Sequence, residues 1–562
     1  MQDRHYAHWP MGVPKQFPLP ETSLYYNLEV AATRYPRKTA MFFYGGQLTF
    51  AELKAQVDAL AGYLQQDCGV RRGDRVMLYM QNSPQFVVAY YAILRADAVV
   101  VPINPMNLTA ELAHYVSDAG AKLAICGHEL LPRIAPLLAG RGAERLERII
   151  WANYADYLDP ATDLPLPDFF KLPAPAPASA SGIAGWGEAL AAARTPAEHL
   201  AGPDDLAALP YTSGTTGQPK GCMHTHRSLM GTIAIAGVWS RGSADDVSLA
   251  VVPFFHVTGM QMLMNGNIYL GAAMVVMTRW DRELALKLIE RHQVTSWINI
   301  PTMVIDLFAS PNFKSDSLAS LRGISGGGAA MPEAVAKRLY ELTGLEFCEG
   351  YGLTETAAPT HSNHPSRPKR QCLGIPLCNT EARVIDPDTL KELGPGETGE
   401  IISAGPQVFT GYWNNPDATR DAFIERDGKR FFRTGDLGRY DEDGYFFIVD
   451  RLKRMINASG FKVWPAEVEA MMYAHPDIQE ACVIGARDAY RGETVKAVVV
   501  LKAASKGTAR AEDIVEWCKG HMAAYKCPRM VEFVDVLPKS ATGKVMWRAL
   551  QEQESAAGSP KA

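Results

Sequence analysis

The feature that most constrains the fold of this chain is an alternation of short apolar runs with longer amphipathic segments. The runs include "RVMLYM", "KLAICG", "VSLAVVP" and "TSWINI", and segments such as "TAELAHYVSDAG" and "RELALKLIERHQ" lie between runs of this kind. Nearly continuous apolar strands that are separated by helices are typical of parallel sheets with helices on both faces. The pattern therefore predicts an α/β fold with largely parallel sheets over most of the chain.

The pattern changes after about Gly435. The stretch "GYFFIVDRLKRMINASGFKVWPAEVEAMMYAH" predicts a strand, a charged turn, a second strand and a helix that begins near Pro465, because proline is favoured in the first turn of a helix. Strand-like runs such as "TVKAVVVLK" follow it. We therefore expect a large N-terminal domain over residues 1–449, a charged hinge at 450–454 and a compact α+β domain over 455–562.

The bulk composition narrows the class of protein. The chain has 562 residues, a formal net charge of -5 and nine cysteines without a C-x-x-C pair. A net negative charge of this size gives no electrostatic attraction for the phosphates of nucleic acid. The dispersed cysteines indicate free thiols in a reducing compartment. The first residues lack the apolar core of a secretory signal, and the last ones match no retention or peroxisomal signal. We therefore expect a cytoplasmic protein that does not bind nucleic acid.

Two segments have an unusual composition. From Val247 to Thr278 the sequence contains no Asp, Glu, Lys or Arg, and this length could span a bilayer. Proline, histidine and amide side chains interrupt the segment, so we expect a buried strand, a loop, a buried helix and a second strand instead. The region from Leu158 to Pro196 is rich in Pro and Ala, which predicts a surface excursion or linker.

The strongest functional motif is "YTSGTTGQPKG", which follows an apolar run and precedes a helix-like segment. Its glycines allow backbone amides to turn inward, its hydroxyls add hydrogen-bond donors, and a lysine adds a positive charge. The residues with these properties are Thr212, Ser213, Gly214, Thr215, Thr216, Gly217 and Lys220. A loop of this kind suits a polyphosphate. The spacing differs from G-x-x-x-x-G-K-[ST], so the motif is not a Walker P-loop.

Three weaker motifs carry further candidate nucleotide contacts. In "EGYGLTETA" an aromatic in a tight turn could stack on a base, while Thr354 and Glu355 could hold a phosphate oxygen and Mg²⁺. "ISGGGAAMP" predicts a strand that runs into a glycine-rich turn. "FFRTGDLG" places Asp436 in a turn after a strand, where a carboxylate could bind two ribose hydroxyls. Together the motifs predict a nucleotide site that is assembled from several strand ends.

The same motifs carry a resemblance to a known family. "YTSGTTGQPKG", "GYGLTE", "TGD", "DRLKR" and "PKSATGK" occur here in the order that is found in the adenylate-forming superfamily of acyl-CoA synthetases, luciferases and peptide-synthetase adenylation domains. The resemblance covers residues from about Leu24 to Leu550. It implies a multi-sheet α/β N-terminal domain, a small mobile C-terminal domain, and ATP, Mg²⁺ and CoA as cofactor and co-substrates.

The resemblance also implies a role for each matched residue. The residues 212–217 and Lys220 would hold the pyrophosphate of ATP. The other implied nucleotide contacts are Gly326, Gly327 and Gly328 along the adenine, Tyr351 stacked on it, Thr354 at a phosphate, Glu355 on Mg²⁺, and Asp436 and Arg451 at the ribose. Lys453 lies at the hinge position. Gly460 and Lys462 lie in a turn that would line the path of CoA in a second conformation.

Two further residues are implied in catalysis. His256 would lie beside the acyl group and orient the carboxylate, and Lys544 would neutralise charge where the carboxylate meets the α-phosphate. A cation on a mobile domain can serve adenylation and then withdraw before the thiol attacks. Neutralisation of Lys544 by a lysine acetyltransferase would block the first step. The pairs His224 and His226, and His361 and His364, lack a supporting zinc-ligand pattern.

The implied acyl pocket is uncharged. Its lining would include Val257, Thr258, Met260, Asn299, Ile300 and Ala357. No acid or base is present there to pair with an ammonium group or a second carboxylate, and methionine makes an adaptable apolar wall. The sequence most resembles bacterial medium- and long-chain fatty-acyl-CoA synthetases, with the chain length left open.

Several alternatives stay open at this level. An aryl-acid CoA ligase, or an adenylation enzyme that loads a carrier protein in trans, would share these motifs. A non-enzymatic sensor on the same fold is disfavoured because Glu355 and Lys544 are both present. A homodimer and peripheral contact with a membrane are also compatible with the sequence.

Overall fold

A computed structural model describes residues 4–172, 182–212, 219–328, 331–458, 461–488, 492–540 and 545–557. The chain divides into two compact units. The large unit comprises His5–Glu381 and Ser403–Phe432, and the small unit comprises Met1–Arg4, Ala382–Ile402 and Arg433–Ala562. The domain boundary at 450–454 stays a prediction from the sequence.

The first sheet of the large unit has nine strands. In spatial order they are Ile375–Pro376, Ala358–Ser362, Cys348–Leu353, Gly323–Gly327, Ser296–Asn299, Val247–Ala250, Ala273–Val276, Thr39–Phe43 and Gly46–Thr49. The strands from Cys348–Leu353 to Thr39–Phe43 pair in parallel, and antiparallel pairs occur only toward the two edges. The predicted α/β class with largely parallel sheets is therefore confirmed for this sheet.

The second sheet of the large unit has seven strands. In spatial order they are Ile183–Gly185, Arg148–Ala152, Leu123–Gly127, Arg75–Tyr79, Val99–Pro102, Leu206–Ala208 and His224–Thr225. All the pairs are parallel except the last one. Its inner strands are buried along nearly their whole length, as expected for a sheet that is covered on both faces.

Helices cover the sheets of the large unit. They are Tyr25–Arg34, Phe50–Gln66, Pro84–Arg95, Thr109–Ala119, Leu131–Ile134, Trp186–Ala191, His226–Ser240, Gly266–Leu270, Arg282–His292, Pro301–Phe308, Glu333–Thr343 and Pro416–Asp421. Local sequence fixes several starts. Thr49 and Glu52 form a reciprocal capping box before Phe50–Gln66, and Ser83 caps Pro84–Arg95, which carries its proline in the first turn.

The uncharged segment folds as predicted. Strand Val247–Ala250 leads through a loop to a π-helical stretch, Gly259–Asn265, then to helix Gly266–Leu270 and strand Ala273–Val276. Within the described part of the chain, no helix has both the length and the apolar character that a membrane span requires. The absence of charge reflects burial, since most of these residues lie in the core of the large unit.

The Pro/Ala-rich region differs in part from its prediction. Strand Ile183–Gly185 pairs with Arg148–Ala152 and extends the second sheet. Phe170 and Trp186 are buried in the main core. The prediction of a surface excursion or linker is therefore wrong for these parts, because composition alone does not reveal that a three-residue strand completes a sheet edge. Residues 173–181 lie outside the described part.

The small unit contains an α+β domain near the C-terminus. Its sheet runs, in order, through Phe461–Val463, Ile456–Ala458, Gly492–Leu501 and Ile478–Asp488, with Met530–Phe533 paired to Gly492–Leu501. The helices are Pro465–Met472, Ala511–His521 and Trp547–Ala557. The helix that was predicted near Pro465 is confirmed.

A further sheet carries strands Glu381–Ile385, Gly399–Ala404, Phe423–Arg426, Lys429–Tyr440 and Phe446–Arg451.

All nine cysteines of the protein are free thiols, and all but Cys68 are buried. This agrees with the expectation of unpaired cysteines.

Candidate functional site

The glycine-rich loop is closed at its neck by backbone hydrogen bonds. The amide of Thr212 donates to the carbonyl of Lys220 at 3.0 Å, and Tyr211 and Gly221 form an antiparallel bridge. The Tyr211 hydroxyl donates to Asp118 at 2.6 Å, which anchors one side of the neck to helix Thr109–Ala119. Ser213, Gly214, Thr215, Thr216 and Gly217 lie outside the described residues, so their phosphate contacts stay predictions.

Close packing of neighbouring strands requires glycine at two positions of the "ISGGGAAMP" motif, Gly326 and Gly327. Gly326 pairs with Asn299 on one side and with Glu349 on the other. A Cβ on Gly326 would lie 2.0 Å from the carbonyl oxygen of Asn299, and one on Gly327 would lie 2.4 Å from that of Gly350. Gly328 has a φ of +85°, in the left-handed region that favours glycine. The strands therefore approach each other closely at the end where adenine is predicted to bind.

Tyr351 lies on the neighbouring strand of the same sheet. It is partly buried, and its ring lies 5.6 Å from the ring of His361, which is opposite it on the next strand. Burial lowers the pKa of His361 to about 3, so the imidazole is neutral. The structure thus brings Gly326, Gly327 and Tyr351 together on two paired strands.

Thr354 and Glu355 form the short helical turn Thr354–Thr356 directly after this strand. His224 Nε2 lies 2.7 Å from the carbonyl oxygen of Thr354. The Tyr412 hydroxyl donates to Glu355 Oε1 at 2.8 Å. Burial, followed by the charge of Glu355, raises the pKa of Tyr412, so its phenol keeps its proton and acts as the donor.

Tyr412 was not identified from the sequence. Lys220 Nζ lies over its ring at 4.6 Å from the centroid, so Tyr412 contacts both the loop lysine and the carboxylate of Glu355. The residue is 57 positions from Glu355 in the chain. Its motif, "FTGYWNNP", contains no charged group, and for this reason it carries no signal of a site.

The Glu355 carboxylate fits a Mg²⁺ ion. Mg²⁺ prefers oxygen ligands and is usually held by one or two carboxylates together with substrate phosphates. The tyrosine that holds Glu355 Oε1 gives the carboxylate a fixed orientation, as carboxylates that ligate metals commonly have. In the described ranges no cluster of three or more His, Cys, Asp or Glu residues could form a metal site made of protein ligands alone.

The loop that carries His256 is held from the other sheet. The Asn82 amide donates from Nδ2 to the Val252 carbonyl at 3.1 Å and accepts at Oδ1 from the Phe254 amide at 2.7 Å. Asn82 follows strand Arg75–Tyr79 and is 4% exposed. Within the loop, His256 Nδ1 accepts from the amide of Thr258 at 3.3 Å. His256 itself is partly buried.

The predicted acyl-pocket residues are mostly inaccessible to water. Val257, Met260, Asn299 and Ala357 are at most 2% exposed, whereas Thr258 and Ile300 are partly buried. Ala357 follows the Thr354–Thr356 turn with a φ of +49°. Val257 and Thr258 directly follow His256 in the chain, Ala357 directly follows the Glu355 turn, and Asn299 and Ile300 come from the end of strand Ser296–Asn299.

The amide side chains of the π-helical stretch, Gln261 and Asn265, form hydrogen bonds with other groups of the protein. Gln261 Nε2 donates to the carbonyl of Leu229 at 2.8 Å, and Asn265 Nδ2 donates to Gln261 Oε1 at 2.6 Å. Tyr91 donates to Asn265 Oδ1 at 2.9 Å, and Tyr90 accepts from its amide at 3.1 Å. The remaining side chains of Gly259–Asn265 are methionine and leucine, so this wall is apolar.

In the small unit, Asp436 and Arg451 form an ion pair. They are paired across strands Lys429–Tyr440 and Phe446–Arg451, and Arg451 Nε lies 2.9 Å from Asp436 Oδ1. Asp436 is 3% exposed. The two residues that were predicted at the ribose are therefore neighbours.

Other predicted residues lie partly or wholly outside the description. Gly460 and Lys544 are among the residues that are not described. Lys453 lies in the turn Leu452–Arg454 and Lys462 in the strand Phe461–Val463, and only their backbone is described. The roles of these four residues stay predictions.

Comparison with known proteins gives matches over most of the chain. The family model "AMP-binding enzyme" matches residues 28–413, and the model "AMP-binding enzyme C-terminal domain" matches residues 467–544. The chain is 37% identical over 562 residues to a long-chain-fatty-acid–CoA ligase of Bacillus subtilis, with 98% of each chain covered.

Two further comparisons extend this similarity. The chain is 34% identical to a feruloyl-CoA synthase of an Amycolatopsis species, over 91% of this chain and 95% of the relative. Its fold superposes on the crystal structure of ATP-bound MatB from Rhodopseudomonas palustris with a TM-score of 0.83. That protein is 30% identical, and the match covers 96% of this chain and 100% of that one.

Proposed function

The chain belongs to the AMP-binding enzyme family and is an AMP-forming acyl-CoA ligase, and from this premise we propose that it activates fatty acids. In the first half-reaction the carboxylate of the acid attacks the α-phosphorus of ATP, which gives acyl-AMP and pyrophosphate. In the second half-reaction the CoA thiol attacks the acyl carbonyl, which gives acyl-CoA and AMP.

The observation that carries the choice of a fatty acid is the apolar wall. From Val247 to Thr278 the sequence has no charged side chain, and the amides of Gln261 and Asn265 are engaged within the protein. A substrate with an ammonium group or a second carboxylate would bury a charge there without a partner, at a cost of several kcal/mol. A straight apolar chain requires no such partner. The name of the Bacillus subtilis relative supports the same substrate class.

We propose that the protein catalyses the first half-reaction mainly by positioning the reactants and neutralising their negative charge. The glycine-rich loop and Lys220 hold the phosphates of ATP, and Thr354 contacts one of them. Glu355 holds Mg²⁺, which offsets the charge of the leaving pyrophosphate when it is bound. Tyr412 contacts both Lys220 and Glu355. The two residues assigned to the leaving pyrophosphate are therefore linked through one side chain.

His256 and Lys544 are assigned to the reacting carboxylate. His256 orients the carboxylate from a loop whose backbone Asn82 holds on both sides of Pro253. Lys544 supplies a removable positive charge for adenylation, and acetylation of this lysine would switch the first half-reaction off. Asp436 and Arg451 hold the ribose, Gly460 and Lys462 contact CoA, and Lys453 lies at the hinge.

The experiment that tests the proposal is ATP-dependent pyrophosphate release with three classes of acid: straight-chain fatty acids of increasing length, benzoates and cinnamates, and amino acids. Each is assayed with and without CoA, and with and without free Mg²⁺. We expect the highest kcat/KM with fatty acids, thioester formation only with CoA, and loss of turnover on chelation of Mg²⁺.

Other results of this experiment would change the assignment. Preference for cinnamates would favour an aryl-acid ligase, a reaction class that the feruloyl-CoA synthase relative makes the second candidate. Release with amino acids alone would contradict the fatty-acid assignment. Sedimentation of the purified enzyme would test for a homodimer, and mass spectrometry of Lys544 together with activity would test acetylation.

A further inference from the structure

A short segment of the large unit joins two parts of the ATP site. The amide of Phe409 donates to the carbonyl of Glu355 at 2.8 Å. Two residues further on, the carbonyl of Gly411 accepts from the amide of Met223 at 2.9 Å, and Met223 lies just after the glycine-rich loop. The segment 409–413 therefore lies between the strand that leaves the loop and the turn that carries Glu355.

The side chain of Tyr412 completes this connection. Its hydroxyl donates to Glu355 Oε1 at 2.8 Å, and Lys220 Nζ lies 4.6 Å from the centroid of its ring. The ring packs edge-on against Phe409 at 4.8 Å, and Phe409 is 2% exposed. A buried neighbour of this kind fixes the orientation of the phenol, so the hydroxyl has one direction in which to donate.

A hydrogen bond from outside the ligand set commonly tunes a carboxylate that binds a metal. A carboxylate has two oxygens and rotates about its terminal bond. A donor that holds one oxygen fixes that rotation and presents the other oxygen to a ligand. The same arrangement reduces the ordering that is required when the ion binds.

We propose that Tyr412 is a positioning residue for Glu355, so that its hydroxyl sets the affinity of the site for Mg²⁺ in the presence of ATP. The proposal rests on the proposed function, because Glu355 is the assigned ligand of Mg²⁺. Tyr412 acts through Glu355 and does not contact the reacting atoms. Its ring provides a separate contact for Lys220.

The variant Tyr412→Phe separates the two contacts. It removes the hydroxyl and keeps the ring that packs on Phe409 and faces Lys220. The matched control is Tyr25→Phe, which removes a tyrosine hydroxyl that donates to Asp58 Oδ1 at 3.0 Å on other elements of the same unit. A general effect of losing a partly buried tyrosine–carboxylate hydrogen bond would appear in both variants.

The test measures ATP binding by calorimetry in the full-length protein, first with chelator and then at increasing free Mg²⁺. We expect Tyr412→Phe to bind ATP like the parent in chelator and to need about 10–100-fold more Mg²⁺ to reach the tight-binding state. Pyrophosphate release should show the same shift, and Tyr25→Phe should show none. In a Glu355→Gln background, Tyr412→Phe should add nothing.

Three results would overturn the proposal, and they are distinguishable. If Glu355→Gln raises the Mg²⁺ requirement while Tyr412→Phe does not, the role of Tyr412 is wrong and the metal role of Glu355 stands. If Glu355→Gln also leaves the Mg²⁺ requirement unchanged, the assignment of Glu355 fails and the proposal fails with it. An equal shift in Tyr25→Phe would reduce the effect to general destabilisation and would also overturn it.

Discussion

The imidazole of His224 is bonded to the backbone of Thr354, with Nε2 at 2.7 Å from the carbonyl oxygen. A carbonyl oxygen only accepts hydrogen bonds, so Nε2 carries the proton of the neutral ring. The partner of Nδ1 is the hydroxyl of Ser228 at 3.2 Å. His224 is thus fixed in one tautomer, and the turn that bears Glu355 is held from the strand that follows the glycine-rich loop.

We predict that His224→Ala weakens the nucleotide site as well as the fold. The variant leaves the Thr354 carbonyl without this donor, which should lower the free energy of unfolding by about 1–3 kcal/mol. We expect a higher KM for ATP as the turn loosens, measured in pyrophosphate release at saturating fatty acid. His364→Ala serves as a control, because the side chain of His364 bonds Ser366 two positions along the chain. An unchanged KM in His224→Ala would contradict the positioning role.

The glycines of "ISGGGAAMP" give a second prediction. In Gly326→Ala the added methyl group would lie 2.0 Å from the backbone oxygen of Asn299, so the strands must separate at this point. We expect loss of soluble protein or a fall in unfolding free energy of at least about 3 kcal/mol. Gly323→Ala in the same strand is the matched control, since nothing lies within 4 Å of its added Cβ. Equal stability of the two variants would show that the strand packing tolerates a side chain.

These glycines show what the sequence predicts and what it does not. The motif predicts a strand that ends in a glycine-rich turn near a ligand, and strand Gly323–Gly327 confirms the strand. The reason for glycine at position 326 is the nearness of a neighbouring strand, and this depends on strand order. Strand order cannot be derived from the apolar runs alone, because the rules for strand connections still leave several possible orders.

The contacts around Glu355 are a second example. Glu355, Lys220 and Thr354 are recognisable from local motifs, because charge and hydroxyl groups stand out among glycines. Tyr412 and Asn82 carry no comparable signal, since each acts through a single amide or hydroxyl that only the fold brings to its partner. Local motifs therefore indicate candidate ligand contacts, whereas the residues that would orient those candidates emerge only from the fold.

Asn82 gives a third prediction. Asn82→Ala leaves the Val252 carbonyl and the Phe254 amide without their side-chain partner, which frees the loop that carries His256. We expect kcat for pyrophosphate release to fall at least about tenfold, since the reacting carboxylate is less well positioned. Ser83→Ala is the control, because it removes a helix cap from the adjacent residue at a cost of about 1 kcal/mol. If both variants lose activity equally, the effect is one of stability.

A largely buried group of charges in the small unit gives a fourth prediction. Arg454 pairs with Glu469 and lies 3.8 Å from Asp450, while Glu469 also accepts from the Val483 amide at 2.8 Å. Glu469→Gln would leave Arg454, whose side chain is only 13% exposed, without its main counter-charge and lower the free energy of unfolding by about 3 kcal/mol.

Helix Pro465–Met472 offers a matched control for this change. Glu467 pairs with Lys526 at the surface, and Glu467→Gln should cost at most about 1 kcal/mol. Urea denaturation of the full-length protein, followed by tryptophan fluorescence, measures both variants. Similar losses in the two variants would mean that burial does not distinguish these ion pairs.

The last prediction concerns pH and His226. Its Nδ1 accepts from the Leu24 amide at 3.1 Å, and burial, with repulsion from His199, lowers its pKa from 6.5 to about 3 despite Asp205 and Asp97. Between these values the unfolded state binds a proton that the folded state does not, so this residue makes stability fall as pH falls. The parent should therefore lose about 1.4 kcal/mol of unfolding free energy per pH unit more than His226→Gln below pH 6.5.

Two buried carboxyl groups, Glu129 and Glu349, change stability with pH in the opposite direction, but equally in the parent and in the variant. Denaturation at several pH values measures the difference in slope. Above pH 6.5 the slopes should coincide, and equal slopes below it would show that His226 does not control acid stability.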